Sequence, residues 1–124
     1  MKYAPKNLSL YRDIIENCHG SIMVADRTGT IVFVNRGCRD LTKRTEEELI
    51  GVSAYELLRT KVFSRSTLVE SLESGQITTR YLTINEDEHR GILARGVPFL
   101  DENGQVDHVV AYSQDETFAT EYFA

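Results

Sequence analysis

The clearest pattern of hydrophobic and polar positions lies in residues 21–35, SIMVADRTGTIVFVN. An apolar run at 22–24 and a β-branched and aromatic run at 30–34 are typical of strands. Asp26 and Gly29 lie between the runs at turn spacing, because an Asp carboxylate can accept backbone N–H groups two residues on and glycine tolerates a positive φ. The pattern therefore predicts a β-hairpin.

Before the hairpin, apolar side chains recur at helical spacing and predict an amphipathic helix that Asn7 can cap and that Gly20 ends. Its opposite side is polar. The apolar stripe must pack either on the protein's own sheet or on the same helix of a second copy, and the pattern favours neither. The stripe consists of Leu8, Tyr11, Ile14, Ile15 and Cys18.

After the hairpin, apolar positions follow a helical period as far as Gly75. A Thr at position 45, followed three residues later by a Glu, is the pattern of a capping box, and Gly51 ends that helix. Short helices are predicted at 36–42, 45–50, within 55–63 and at 66–74.

From Gln76 onward the pattern changes to that of strands. The acidic stretch 85–88 is expected to be a solvated loop, and Asn103 with Gly104 predicts a turn that pairs its flanking strands antiparallel. The last strand is expected to be central, because it leaves few polar side chains for an open edge. The strands are predicted at 77–85, 89–100 and 106–114.

Composition narrows the class of protein. A chain of 124 residues with 41% hydrophobic content suits one domain with a single core. The formal charge of −5 argues against direct binding to nucleic acid or to an anionic membrane. Two cysteines without metal-finger spacing fit a reducing cytoplasm, and no apolar run is long enough for a membrane helix. A soluble, cytoplasmic domain is expected.

Catalytic chemistry is not indicated. Cys18 and His19 are adjacent, but neighbours on a helix point in different directions and nothing orients the imidazole as a base. The histidines are far apart in the sequence, no spacing suggests zinc, and there is no phosphate-binding G-x-x-x-x-G-K motif. We therefore expect neither an enzyme nor a metal site.

Four motifs in order resemble those of a PAS domain. They are D-x-x-G-x-I-x-x-x-N at 26–35, T-x-E-E-L-I-G at 45–51, G-V-P-F-L-D-E-N-G-Q-V at 96–106, and a strand ending in D-E-T at 115–117. The middle residue of the last motif, Glu116, departs from the usual apolar residue of that family. The residues that carry the resemblance are Asp26, Gly29, Asn35, Gly51, Asn103, Gly104, Asp115 and Thr117.

This resemblance covers roughly residues 8–117 and implies an α+β fold: a five-stranded antiparallel sheet of order 2-1-5-4-3, with short helices on one face around a small pocket. The implied organisation is an N-terminal helix at 1–20, a PAS sensor domain at 21–117 and the start of a linker helix at 118–124. PAS-like domains often dimerise through their N-terminal helix, so a homodimer contact is expected at Leu8, Tyr11, Ile14 and Ile15.

Among PAS domains, this chain is most similar to the N-terminal sensors of sigma-54-dependent, NtrC-like transcription regulators. Such regulators carry an AAA+ ATPase domain and a helix-turn-helix after the sensor, and neither is present in these residues. Two alternatives stay open. One is the sensor of a histidine kinase or of a cyclic-dinucleotide enzyme, and the other is a purely structural interaction module that binds no ligand.

The cofactors of the family can be tested on residues. Flavin photoreceptors of this family carry a reactive cysteine just after the glycine that ends the E-E-L-I-G helix, and the segment 52–57 has none. Cys38 lies earlier, in the helix after Asn35. Haem-binding members use a histidine before the third strand, and 52–75 contains none. No flavin adduct and no haem are expected, whereas an unknown small-molecule ligand stays possible.

A pocket between sheet and helices is the expected ligand site. Arg95 is its strongest polar candidate: pointing inward it would need a carboxylate partner, and on the outer face it would lie in water, which is favoured because buried arginines are uncommon. The candidate lining residues are Tyr55, Leu58, Phe63, Leu72, Tyr81, Arg95, Val97 and Tyr112.

Overall fold

The computed structural model describes residues 7–115. Glu116, Thr117 and the predicted linker helix at 118–124 lie outside the described residues, as do residues 1–6. The helices and strands are, in chain order, α1 (Leu8–Asn17), β1 (Ser21–Asp26), β2 (Ile31–Val34), α2 (Arg36–Thr42), α3 (Glu46–Leu49), α4 (Ala54–Arg59), α5 (Thr67–Ser74), β3 (Thr78–Ile84), β4 (Asp87–Leu100) and β5 (Val106–Asp115).

The five strands form one antiparallel sheet of order β2-β1-β5-β4-β3. This confirms the fold class and the strand order that the resemblance implies. It also confirms that the last strand is central, because β5 pairs with β1 on one side and with β4 on the other. No helix within residues 7–115 is long and apolar enough to cross a membrane.

The predicted hairpin is present and Asp26 organises its turn. The Asp26 carboxylate accepts the backbone N–H groups of Thr28 (2.9 Å) and Thr30 (3.1 Å). Gly29 adopts φ +89° and donates its N–H to the Asp26 carbonyl at 2.9 Å. The hydrogen bond from the Thr28 hydroxyl is the main cause that lowers the pKa of Asp26. An aspartate in this turn therefore stays charged and keeps its hydrogen bonds.

The second turn repeats this geometry. The Asp101 carboxylate accepts the N–H groups of Asn103 (2.9 Å) and Gln105 (3.0 Å), and Gly104 donates its N–H to the Asp101 carbonyl at 3.0 Å. Gly104 has positive φ, whereas Asn103 does not. The turn is therefore a second D-x-x-G turn organised by Asp101, and not a pair of positive-φ residues at Asn-Gly.

Two other expectations are corrected. Asn85 and Glu86 both adopt positive φ, 52° and 58°, which is the backbone of a tight two-residue hairpin turn. The expected loop is therefore shorter, and β4 begins at Asp87. Asn7 does not cap α1, because its own backbone is already helical and its side chain makes no capping bond.

Most helix ends are set by local chemistry that the sequence shows. Thr45 and Glu48 form a complete capping box at α3, and the hydroxyl of Ser66 accepts the N–H of Val69 at the start of α5. Gly75 ends α5 in the left-handed conformation. Helices α2 to α5 lie on one face of the sheet, where they pack against the core side chains of all five strands.

Candidate functional site

The space between the sheet and α5 is almost filled. It amounts to a cavity of about 20 Å³, which is room for a single water molecule. A ligand the size of a metabolite would need the helices to move away from the sheet. The residues that line the cavity are Ser21, Met23, Phe63, Arg65, Ser66, Thr67, Leu68, Leu82, Ala94, Ala111 and Ser113.

Four of the predicted pocket residues lie on the helical side of the sheet. Phe63 lines the small cavity and packs against the core. Leu72 is half-buried against the core, and Leu58 is half-buried on α4. The Tyr55 ring is exposed and covers Gly29, where an added Cβ would lie 3.1 Å from its Cε2 atom. Burial and the carboxylate of Glu73 raise the pKa of Tyr55.

Of the eight predicted residues, Phe63 alone lines this cavity, and the other four are on the far side of the sheet, which corrects the expectation. Tyr81, Arg95, Val97 and Tyr112 lie on the opposite, outer face of the sheet, because side chains alternate along each strand. The neighbours Leu82, Ala94 and Ala111 occupy the inner positions instead. Arg95 is exposed on the outer face, the placement that burial statistics favour, and it pairs across the strands with Tyr112.

The outer face is unusually apolar for a solvent-facing surface. Exposed side chains on it include Tyr81, Leu93, Phe99 and Tyr112. Helix α1 lies over the part of this face formed by β1, β2 and β5 and leaves a groove of about 810 Å³. The groove is lined by Leu8, Ser9, Tyr11, Arg12 and Ile15 of α1 and by Ile22, Val24, Phe33, Val110 and Tyr112 of the sheet.

None of the residues of α1 is buried. Leu8, Tyr11 and Ile15 point toward the sheet, since they line the groove. Leu10 and Ile14 do not line it and are more than half exposed. The apolar side chains of α1 therefore form two rows. The row of Leu8, Tyr11 and Ile15 faces the sheet, and the row of Leu10 and Ile14 is exposed.

A buried amide holds the C-terminal end of α1. Asn35 is fully buried, and its Oδ1 accepts the N–H groups of Ile22 and Cys38, both at 2.9 Å. Its Nδ2 donates to the carbonyls of Ile15 at 2.9 Å and Gly20 at 3.2 Å. One side chain thus joins α1, β1 and the first turn of α2. The sequence marks Asn35 as a motif residue but does not show that it holds the helix.

An ion pair makes the second attachment of α1. The Arg39 guanidinium donates to both carboxylate oxygens of Glu16, at 3.1 and 2.7 Å, and also to the carbonyl of Val34 at 3.3 Å. The hydrogen bond from Arg39 lowers the pKa of Glu16, and the same bond raises the pKa of Arg39. The sequence pattern does not reveal this pair, because Glu16 lies on the polar side of α1 and its partner is on another helix.

The α1 attachment and the end of β5 share one surface. A Cβ added at Gly37 would lie 1.9 Å from the Gly20 carbonyl oxygen, so the backbone of α2 directly contacts the link between α1 and β1. Arg90 pairs with Asp115, the last residue of β5, at 2.7 Å. A groove of about 500 Å³ connects these features. The link after α1 and the end of β5 are therefore adjacent.

Comparisons with known proteins agree with this architecture. A family model described as the PAS fold matches residues 16–119. The chain is similar to an RNA-binding light-oxygen-voltage receptor, with a TM-score of 0.71 and 18% identity over 96% of this chain. It spans 35% of that receptor, about a third of its length. None of the curated proteins matches the chain by sequence.

Two isolated PAS domains are similar along nearly their whole length. One is from a protein of Colwellia psychrerythraea, with a TM-score of 0.65 and 20% identity over 90% of this chain and 98% of that one. The other is from nitrogen regulation protein NR(II) of Vibrio parahaemolyticus, with a TM-score of 0.63 and 15% identity over 86% and 97%. The PAS family model covers well over half of this chain, and the chain therefore belongs to the PAS family.

Proposed function

We propose that this chain is a sensory and dimerising module that regulates an attached output domain. The observation that carries the proposal is the position of α1. Its apolar side chains are not buried, its C-terminal end is fixed by Asn35 and Arg39, and that end lies beside the last residue of β5. A change in the position of α1 is therefore transmitted to the end of β5, from which the chain continues toward its output domain.

The partner at α1 is a second copy of this chain. The open row of Leu10 and Ile14 supports this, and Leu8, Tyr11 and Ile15 extend the apolar surface toward the outer sheet face. Apolar surface combined with aromatic residues is typical of protein interfaces. A two-fold contact would bring the same patch of each copy together.

The output we favour is that of a sigma-54-dependent transcription regulator, with an AAA+ ATPase and a helix-turn-helix beyond residue 124. The motif G-V-P-F-L-D-E-N-G-Q-V supports this assignment. The sensor of a histidine kinase or of a cyclic-dinucleotide enzyme is the second candidate. The coding sequence downstream distinguishes them, since an ATPase domain there excludes the second.

The module itself is proposed to carry no catalytic centre, flavin or haem. The absence of a cysteine at 52–57 and of a histidine at 52–75 supports this proposal. The filled interior supports a further point: a signal that acts between sheet and helices must either be very small or open the core. A module that only fixes dimer geometry is the alternative, and a thermal-shift screen with carboxylic acids, aromatics and nucleotides tests it.

Sedimentation equilibrium tests the dimer. Ile14→Asp places a charge in the open row of α1 and is expected to shift the chain toward monomer. Ile77→Asp is the matched control, because Ile77 is exposed to a similar extent, 52% against 56%, and lies next to β3 at the other edge of the sheet. A monomeric parent chain, or equal effects of the two substitutions, would exclude dimerisation through α1.

A further inference from the structure

The groove between α1 and the outer sheet face is bounded by two apolar walls of the same chain. Among residues 7–115, five residues of α1 form one wall and five residues of β1, β2 and β5 form the other. Its volume of about 810 Å³ lies within the range of roughly 300–1,000 Å³ that small-molecule sites occupy. It is thus much larger than the inner cavity of about 20 Å³.

The side chains of α1 that face the sheet are less exposed near the end that Asn35 and Arg39 hold. Along the row facing the sheet, the exposed fraction is 37% at Ile15, 38% at Tyr11 and 65% at Leu8. An α-helix with its side chains is about 10–12 Å wide, whereas an alkyl chain is much thinner, so a thin and flexible chain is the occupant that suits the space beside the attached end of α1.

A positively charged side chain lies at the edge of the groove. Arg12 lines it, and within residues 7–115 the Arg12 guanidinium has no hydrogen bond or ion pair. The acidic side chains Asp13, Glu46 and Glu47 line the surface on the other side of Arg12 without bonding to it. Glu16 is already held by Arg39. The guanidinium is therefore available to a carboxylate, which it can bind with two parallel hydrogen bonds.

We propose that this groove binds a medium-chain carboxylic acid. The alkyl tail lies between Ile15 and the sheet residues Val24 and Val110, and the carboxylate binds Arg12. Binding itself is independent of the proposed function. Its consequence rests on that function: a tail that fills the space under α1 fixes the angle of the helix through which the chain dimerises.

Isothermal titration calorimetry with octanoate and decanoate on the intact chain tests the site. Saturable binding is expected, with decanoate about tenfold tighter than octanoate, because two more methylenes are buried. Arg12→Gln should weaken decanoate binding about tenfold and leave decanol binding unchanged. The proposal is overturned if no saturable binding is seen, or if Arg12→Gln weakens the binding of decanoate and of decanol equally.

A matched pair of substitutions locates the site. Val110 and Val97 are paired across β5 and β4 on the same outer face, but only Val110 lines the groove. Val110→Phe should abolish decanoate binding, and Val97→Phe should preserve it, with both folds checked by circular dichroism. Equal effects overturn the proposal. If no fatty acid binds and Val110→Phe weakens dimerisation in sedimentation, the groove is an interface between copies, and the dimer proposal survives alone.

Discussion

The two faces of the sheet differ in how closely helices pack against them. The inner face packs against α2 to α5 so closely that about 20 Å³ remains, whereas the outer face leaves about 810 Å³ beneath a single helix held at one end. Both faces are apolar. The difference shows that apolar surface on this sheet serves stability on one side and is available for binding on the other.

Close packing on the inner face depends on backbone contact as well as on side chains. A Cβ at Gly96 would lie 2.4 Å from the Thr67 carbonyl oxygen of α5, so α5 can lie on β4 only where a side chain is absent. The outer face has no such constraint at Gly91, where an added Cβ would meet the mobile end of the Tyr81 side chain at 2.5 Å.

The largest expected difference separates two neighbouring residues of β4. Ile92 is 0% exposed on the inner face, and Leu93 is 41% exposed on the outer face. Ile92→Ala should lower the free energy of unfolding by about 3 kcal/mol, because it removes buried methyl groups and leaves a cavity, and Leu93→Ala by less than about 1 kcal/mol. Urea unfolding measures both. Equal losses would mean that the outer face is as closely packed as the inner one.

The two glycines of β4 give the next largest difference. Gly96→Ala should destabilise the fold by about 2 kcal/mol, because the displaced atoms belong to the backbone of α5. Gly91→Ala should be neutral within about 0.5 kcal/mol, since the Tyr81 ring can turn away and the unfolded chain loses entropy. Thermal and urea unfolding of the two variants give this comparison directly. A tolerated Gly96→Ala would show that α5 moves freely.

The local elements of this fold were predictable because their causes are local. Asp26 with Gly29, and Thr45 with Glu48, satisfy backbone groups within four residues of themselves, so their roles are visible in the sequence. The strand order came from the resemblance. It is a property of contacts between distant strands, which spacing alone does not determine.

The assignment of faces failed for a physical reason. A strand with one polar side shows which side is buried, but β4 and β5 carry apolar or aromatic side chains on both sides, so alternation does not identify the inner one. For that reason the pattern places Val97 and Tyr112 in the interior. It places Tyr81 of β3 there as well, because that strand has threonines on both sides. The pair of Glu16 and Arg39 was missed because its members are 23 residues apart, on two helices whose relative position only the folded chain determines.

The smallest expected effect is the pH dependence of the Glu16–Arg39 ion pair, which attaches α1 to α2. Arg39 lowers the pKa of Glu16 in the folded state, so the stabilisation is fully present above the unfolded carboxyl pKa and is lost as the pH falls through the folded value. The pair is partly exposed and screened by solvent, and we expect it to contribute about 0.5–1 kcal/mol. The protection factors of the α1 amides, which take out the intrinsic pH dependence of hydrogen exchange, should fall over this acidic range.

Glu16→Gln should lower the protection factors of the α1 amides at neutral pH and remove their further loss in acid. Glu56→Gln is the matched control, because Glu56 and Arg59 form an exposed ion pair within α4 that does not touch α1. It should leave α1 exchange unchanged. If Glu16→Gln leaves the protection of the α1 amides unchanged at neutral pH, Asn35 alone holds the helix, and the outer groove is then insensitive to the charge of its attachment.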